Sequence, residues 1–121
     1  MTQFSNKYDL EERTAIFGRD IICLCKSINP NHIIKPIIGQ LIRSATSIGA
    51  NYMEANGASS KKDFANKIYI CKKETQETKH WLRMLSYSIE DSNQKTKIKE
   101  LWQECQQLTL IFQKITSSLK N

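Results

Sequence analysis

Glu77-Thr78-Lys79-His80 sets a carboxylate and an imidazole three residues apart, on one face of any helix that carries them. This is the Glu-x-x-His spacing with which a helix holds one metal of a di-iron bundle. A complete site needs a second such pair and two further carboxylates. His32 has no glutamate three positions before it, and only Glu54 and Glu104 offer mid-helix carboxylates elsewhere. No metal or cofactor is therefore expected, and His80 is read as sitting at the core edge beside Trp81. The cysteines offer no better chemistry. Cys23 and Cys25 point about 200° apart on a helix and cannot easily share a metal. Cys71 and Cys105 fall on apolar stripes, where cysteine acts as a small buried hydrophobe, so all four are expected to be reduced. No serine has a nearby histidine with an orienting acid, and no glycine-rich phosphate loop follows a strand. The chain reads as a non-enzyme.

Charge is the stronger signal. Lys and Arg number 18 against 12 Asp and Glu, a net charge of +6. Such a surplus favours polyanions, nucleic acid first and an acidic membrane surface second. The candidate contacts are Lys61, Lys62, Lys72, Lys73, Lys79 and Arg83. Lys72, Lys79 and Arg83 share one helix face at steps of seven and four. No aromatic residue interleaves with that stripe, so the expected mode is contact with the RNA or DNA backbone, without sequence preference. The competing reading is an ordinary solvated face.

A second polar group comprises Arg43, Asn51, Glu54, Glu74 and Glu77. A turn near Ala58 would bring residues whose numbers sum to about 117 to one level of an antiparallel pair. Arg43 should then meet Glu74 or Glu77, with Asn51 capping a polar contact between helices. Such a cluster reads as a device for conformational specificity rather than a site.

The elements that must position these residues are four helices, expected over about 10–28, 34–56, 61–90 and 96–119. The first carries Leu10, Phe17, Ile21, Leu24 and Ile28 at bundle-seam spacing, with Thr14 filling one site. Asp9 and Glu12 resemble a capping box at its start, and Asn29-Pro30-Asn31 ends it. The second seam is Ile34, Ile38, Leu41, Ala45, Ile48, Tyr52 and Ala55, with Pro36 in the first turn and Gly57 as the stop. Gly39 and Gly49 inside this helix point to close approach of a neighbour. Ser60 should cap the third helix, with Asp63 reaching back. Its seam runs Phe64, Ile68, Cys71, Thr75, Thr78, Leu82, Leu85 and Ile89, and its two threonines predict a central polar layer. Asp91 to Gln94 read as the last turn. The fourth seam is Ile98, Leu101, Cys105, Leu108, Phe112, Ile115 and Leu119, with Ser117 to Asn121 expected to fray.

Together these predict one all-α domain, an antiparallel up-down-up-down four-helix bundle. Neither a membrane span nor an export signal is visible at Met1–Ser5, which implies a cytoplasmic protein. Ile22, Ile42, Tyr69, Trp81, Trp102 and Ile111 lie off or beside the seams. Faces widened in this way either thicken a core or form a subunit interface, and their spread over the helices favours self-association.

The run Gln40-Leu41-Ile42-Arg43-Ser44-Ala45-Thr46-Ser47-Ile48-Gly49-Ala50-Asn51-Tyr52-Met53-Glu54-Ala55 closely resembles the family of four helix bundle proteins. That family includes proteins encoded by intervening sequences in bacterial 23S ribosomal RNA genes. The resemblance continues through Ser60–Phe64 and Lys73–Leu82 and covers roughly half the chain at motif level. It implies a ring-like homopentamer with no enzymatic activity. A structurally similar protein that accompanies diversity-generating retroelements is basic and binds nucleic acid, a likeness at the level of fold alone. His80, where an aromatic is common, and Pro36 depart from the family pattern. The remaining possibility is a protein-interaction scaffold whose basic charge is incidental.

Overall fold

Each apolar seam becomes one helix in the computed structural model, which describes residues 9–119. These are α1 (Leu10–Lys26), α2 (Ile34–Asn56), α3 (Lys61–Ser88) and α4 (Ser92–Ser118). Met1–Ser5, where no export signal is expected, and the terminal Lys120 and Asn121 lie outside the described residues.

Helix boundaries differ from the sequence expectation where polar side chains intervene. At Asp9 the backbone is left-handed (φ 41°) and the side chain makes no capping bond, so the expected box with Glu12 does not form. The carbonyl of Asp9 instead accepts from Arg13 N–H at 2.9 Å. α1 ends at Lys26, because Ser27 donates its hydroxyl to the Leu24 carbonyl at 2.6 Å and tightens the last turn. Asn31 caps α2 by accepting from the N–H groups of Ile33 and Ile34, at 2.9 and 2.8 Å. Gly57 does stop α2, but with φ −94° rather than in a left-handed cap. Ser60 accepts from Asp63 N–H at 3.0 Å as expected, whereas the Asp63 carboxylate reaches Ser59 instead of closing the box. α3 ends at Ser88, earlier than expected. α4 starts at Ser92, ahead of the expected 96, because the Asp91 carboxylate caps Gln94 N–H at 2.8 Å. What reads as a turn is a first helical turn behind its cap.

Antiparallel order follows from the cross-links. Ser44 pairs with Thr78 and Glu54 with Lys67, so α2 and α3 run oppositely. Thr75 with Cys105 and Ser86 with Lys95 give the same relation for α3 and α4. Arg13–Glu104 and Ser27–Gln94 close α4 onto α1. α1 therefore packs between α2 and α4, and the α1–α2 and α3–α4 grooves lie on opposite sides of the bundle.

All five seam positions within α1 are buried, as is Ile28 just beyond its end, and the α2, α3 and α4 seams are buried along most of their length. Tyr52 and Phe112 meet in the core with ring centroids 6.0 Å apart. Of the off-seam residues, Ile42, Trp81 and Ile111 pack against the core, while Ile22, Tyr69 and Trp102 stay exposed. The expected polar layer is present. Thr78 donates to Ser44 at 2.9 Å, Thr75 bonds the Lys72 carbonyl, and the Cys105 thiol reaches the Thr75 carbonyl at 3.2 Å. Gly49 allows α1 close, since an added Cβ would lie 3.1 Å from Thr14 Oγ1. Gly39 meets nothing within 4 Å, so no neighbour explains it. No helix among the described residues is long and apolar enough to cross a membrane.

Candidate nucleic-acid interface

Lys95, Lys99 and Trp102 stand at i, i+4 and i+7 on α4, and so share one face. α3 presents Lys79 and Arg83, at i and i+4, toward that face. The antiparallel register brings the two rows together. Lys95 Nζ donates to the Ser86 carbonyl at 3.0 Å, and Lys79 Nζ donates to Gln106 Oε1 at 2.5 Å. Arg83, Ser86, Lys95, Lys99 and Trp102 thus line a groove of about 450 Å³ whose floor includes Leu82 and Ile98. Three of its lining residues are cations and none is a carboxylate.

Aromatic groups accompany these charges. The Lys79 ammonium lies 5.4 Å from the centroid of the Trp102 ring. Arg83 Cζ lies 5.8 Å from the Tyr87 ring centroid, and Arg83 Nε donates to the Tyr87 hydroxyl at 3.0 Å. Tyr87 continues the Lys79–Arg83 row at i+4 on the same helix, so the stripe is not free of aromatics as the sequence suggested, and α4 adds Trp102.

The six sequence candidates do not act as one patch. Lys61 and Lys62 are exposed at the α2–α3 end, roughly 33 Å along α3 from Arg83 at 1.5 Å per residue. Lys72 is half-buried about two turns from Lys79, and Lys73 is exposed on a different face. Lys79 is engaged by Gln106 and Trp102, which leaves Arg83 as the exposed member of the stripe. Lys95 and Lys99 were legible as a pair only with the correct start of α4, since a helix starting at 96 leaves Lys95 in a turn.

The acidic residues explain why this groove keeps its charge. Glu74 and Glu77 both receive Arg43, with Nη1 to Glu74 at 3.5 Å and Nη2 to Glu77. Glu54 pairs instead with Lys67 at 2.6 Å, and Glu104 with Arg13 at 2.7 Å. The polar group on α2 therefore splits in two. Asn51 joins neither half, because its amide donates to the Ser47 carbonyl of its own helix at 2.8 Å. Among the described residues, Lys72, Lys73, Lys79, Arg83, Lys95 and Lys99 enter no ion pair within 4.0 Å.

His80 is exposed and meets Trp81 edge-on, with centroids 4.9 Å apart, while Glu77 is committed to Arg43. Among the described residues no three metal-ligating side chains cluster. Cys23 is exposed, and all four cysteines are free thiols. Burial pushes the Cys25 thiol up to about 11 and those of Cys71 and Cys105 up to about 12. Thiols held this far up stay protonated at neutral pH and make poor nucleophiles.

The family described as 23S rRNA-intervening sequence protein matches residues 7–114. This chain belongs to that family. The fold of this 23S rRNA-intervening sequence protein recurs in a solved structure from Bacteroides thetaiotaomicron. It is a protein of unknown function from the S23 ribosomal protein family, 28% identical over 88% of this chain and 96% of its own, with a TM-score of 0.75. No curated protein matches the chain.

Proposed function

We propose that this member of the 23S rRNA-intervening sequence family is a non-enzymatic, self-associating scaffold that binds RNA or DNA backbone through the α3–α4 groove. One observation carries the reading: Arg83, Lys95 and Lys99 line a single groove that contains no carboxylate. Cations concentrated in a concave, partly apolar setting raise the local concentration of a polyanion. The descriptions of the family and of the solved relative name 23S rRNA and a ribosomal protein family, which favours an RNA setting.

Self-association is assigned to the opposite side. The α1–α2 groove is lined by Ala15, Gly18, Ile22, Gly49, Ala50 and Met53, with Ile22 40% and Met53 61% exposed. A ring also needs a second, complementary patch on each copy, and where that patch too lies outside the α3–α4 groove a pentamer would present five such grooves and gain avidity. Light scattering tests the oligomer: Ile22→Lys with Met53→Glu should give a folded monomer, and an unchanged mass would discard this interface.

Binding to a labelled oligonucleotide across a range of salt concentrations tests the function. Log affinity should fall linearly with log salt, by about 0.7 per phosphate neutralised for a single strand. The Arg83→Glu, Lys99→Glu variant should bind far more weakly with a shallower slope. An affinity indifferent to salt and to this variant would replace the reading with a protein-interaction scaffold. The exposed apolar residues of the α1–α2 groove favour that second reading.

A further inference from the structure

Trp102 lies on the wall of the α3–α4 groove and remains 38% exposed. Its indole does not hang free. The Lys79 ammonium, which Gln106 anchors, stands over one side of the ring, 5.4 Å from its centroid, and an incoming base would stack on the side that faces the groove. We infer that the groove selects single-stranded nucleic acid by stacking an unpaired base on Trp102, while Arg83, Lys95 and Lys99 hold the adjoining phosphates. The inference rests on the backbone-binding reading above and adds a choice of strand to it.

The chemistry is that of an aromatic platform set among cations. In a duplex the bases stack on one another and a surface groove reaches only phosphate and sugar. An unpaired base can leave its neighbours and lie on an indole, whatever its identity, because every base has a π-face. A volume of about 450 Å³ falls within the range of roughly 300–1,000 Å³ typical of ligand pockets. The groove therefore has room for a base and its ribose. The indole is carried by a long helix and flanked by an anchored lysine, so little ordering is left to pay on binding. Tyr69 and Tyr87 are also exposed but neither lines this groove, and the Tyr87 hydroxyl is taken up by Arg83, so Trp102 is the position where base and phosphate recognition coincide.

The test uses the full chain carrying Trp81→Phe, which leaves Trp102 as its one tryptophan. Short oligo-dT, oligo-U and a duplex of equal length are titrated at low salt, and fluorescence and affinity are read together. Both single strands should quench Trp102 and bind more tightly than the duplex, and the ratio of the two shows whether RNA or DNA is preferred. Trp102→Ala should weaken single-strand binding roughly 5- to 100-fold, as loss of one stacked base does. Duplex binding should be unchanged, and Trp102→Phe should recover most of the loss. Far-UV circular dichroism checks that each variant folds. If single strand and duplex bind alike, with salt dependence but no quenching and no effect of Trp102→Ala, stacking is overturned and the backbone reading stands. If nothing binds at low salt, both fall.

Discussion

Thr78 on α3 donates a hydrogen bond to Ser44 on α2 at 2.9 Å, with both side chains fully buried. The bond links the two helices in mid-bundle, in the same polar layer as the buried Thr75. Removing one partner breaks the link between the helices, while Ser44 keeps the Leu41 carbonyl at 3.2 Å and Thr78 the Glu74 carbonyl at 2.8 Å, so the cost is that of one hydrogen bond, about 0.5–1.5 kcal/mol. Thr78→Val should therefore destabilise the fold by about that amount in urea titration. Ser44→Ala with Thr78→Val should cost less than the sum of the single changes. Strict additivity would show that the two hydroxyls do not depend on each other.

The two glycines inside α2 should respond oppositely to alanine. Gly39 has open space around the new Cβ, so Gly39→Ala should stabilise by about 0.5–1 kcal/mol through helix propensity and a less flexible unfolded chain. At Gly49 the new Cβ would stand 3.1 Å from Thr14 Oγ1 and 3.4 Å from Thr14 Cβ. Thr14 cannot easily yield, being buried and bonded to the Leu10 carbonyl at 2.6 Å. Gly39→Ala should raise Tm and Gly49→Ala should lower it, and the reverse order would contradict the α1–α2 packing described.

The buried thiols give the fold an alkaline limit. Burial raises Cys71 and Cys105 from 9.0 to about 12, and Cys25 to about 11. Above pH 9 the unfolded chain loses these protons while the folded chain keeps them, so the stabilisation is complete below that pH. It is lost as pH rises toward 11–12. Each buried thiol should contribute a slope of roughly 1 kcal/mol per pH unit there. Urea titrations of wild type and Cys105→Ala across this window should give a shallower loss for the variant; equal slopes would remove the thiol from the account. In the native state iodoacetamide should label Cys23 alone, since the other three are buried.

Arg43 bridges Glu74, whose side chain is 10% exposed, and Glu77, which is 40% exposed. The arginine is itself 45% exposed, so solvent screens much of the attraction. Arg43→Ala should cost about 1 kcal/mol, mostly by leaving the Glu74 carboxylate without its cation. Adding Glu74→Gln should recover most of that loss, and high salt should shrink the effect. A loss unaffected by either treatment would assign the cost to packing of the arginine stem instead.

The apolar seams were determined by the sequence itself, because a 3–4 repeat of apolar residues can be buried only by a helix facing a common core. Four such seams with short connections leave the bundle as their economical arrangement, and even the level of Arg43 with Glu74 and Glu77 follows from the position of the α2–α3 turn. Helix ends were less legible. Asp91 and Asn31 are equally plausible in a turn and in a cap, and only the chain's path decides which. The interface was decided by tertiary structure alone. Lys79 and Arg83 lie on one helix, and Lys95, Lys99 and Trp102 on another, so no spacing within either segment reveals that they meet. Nor does sequence show that Arg13 and Lys67 take up Glu104 and Glu54 elsewhere in the bundle. A net charge is a sum over residues, whereas a cationic groove depends on where the opposite charges are held.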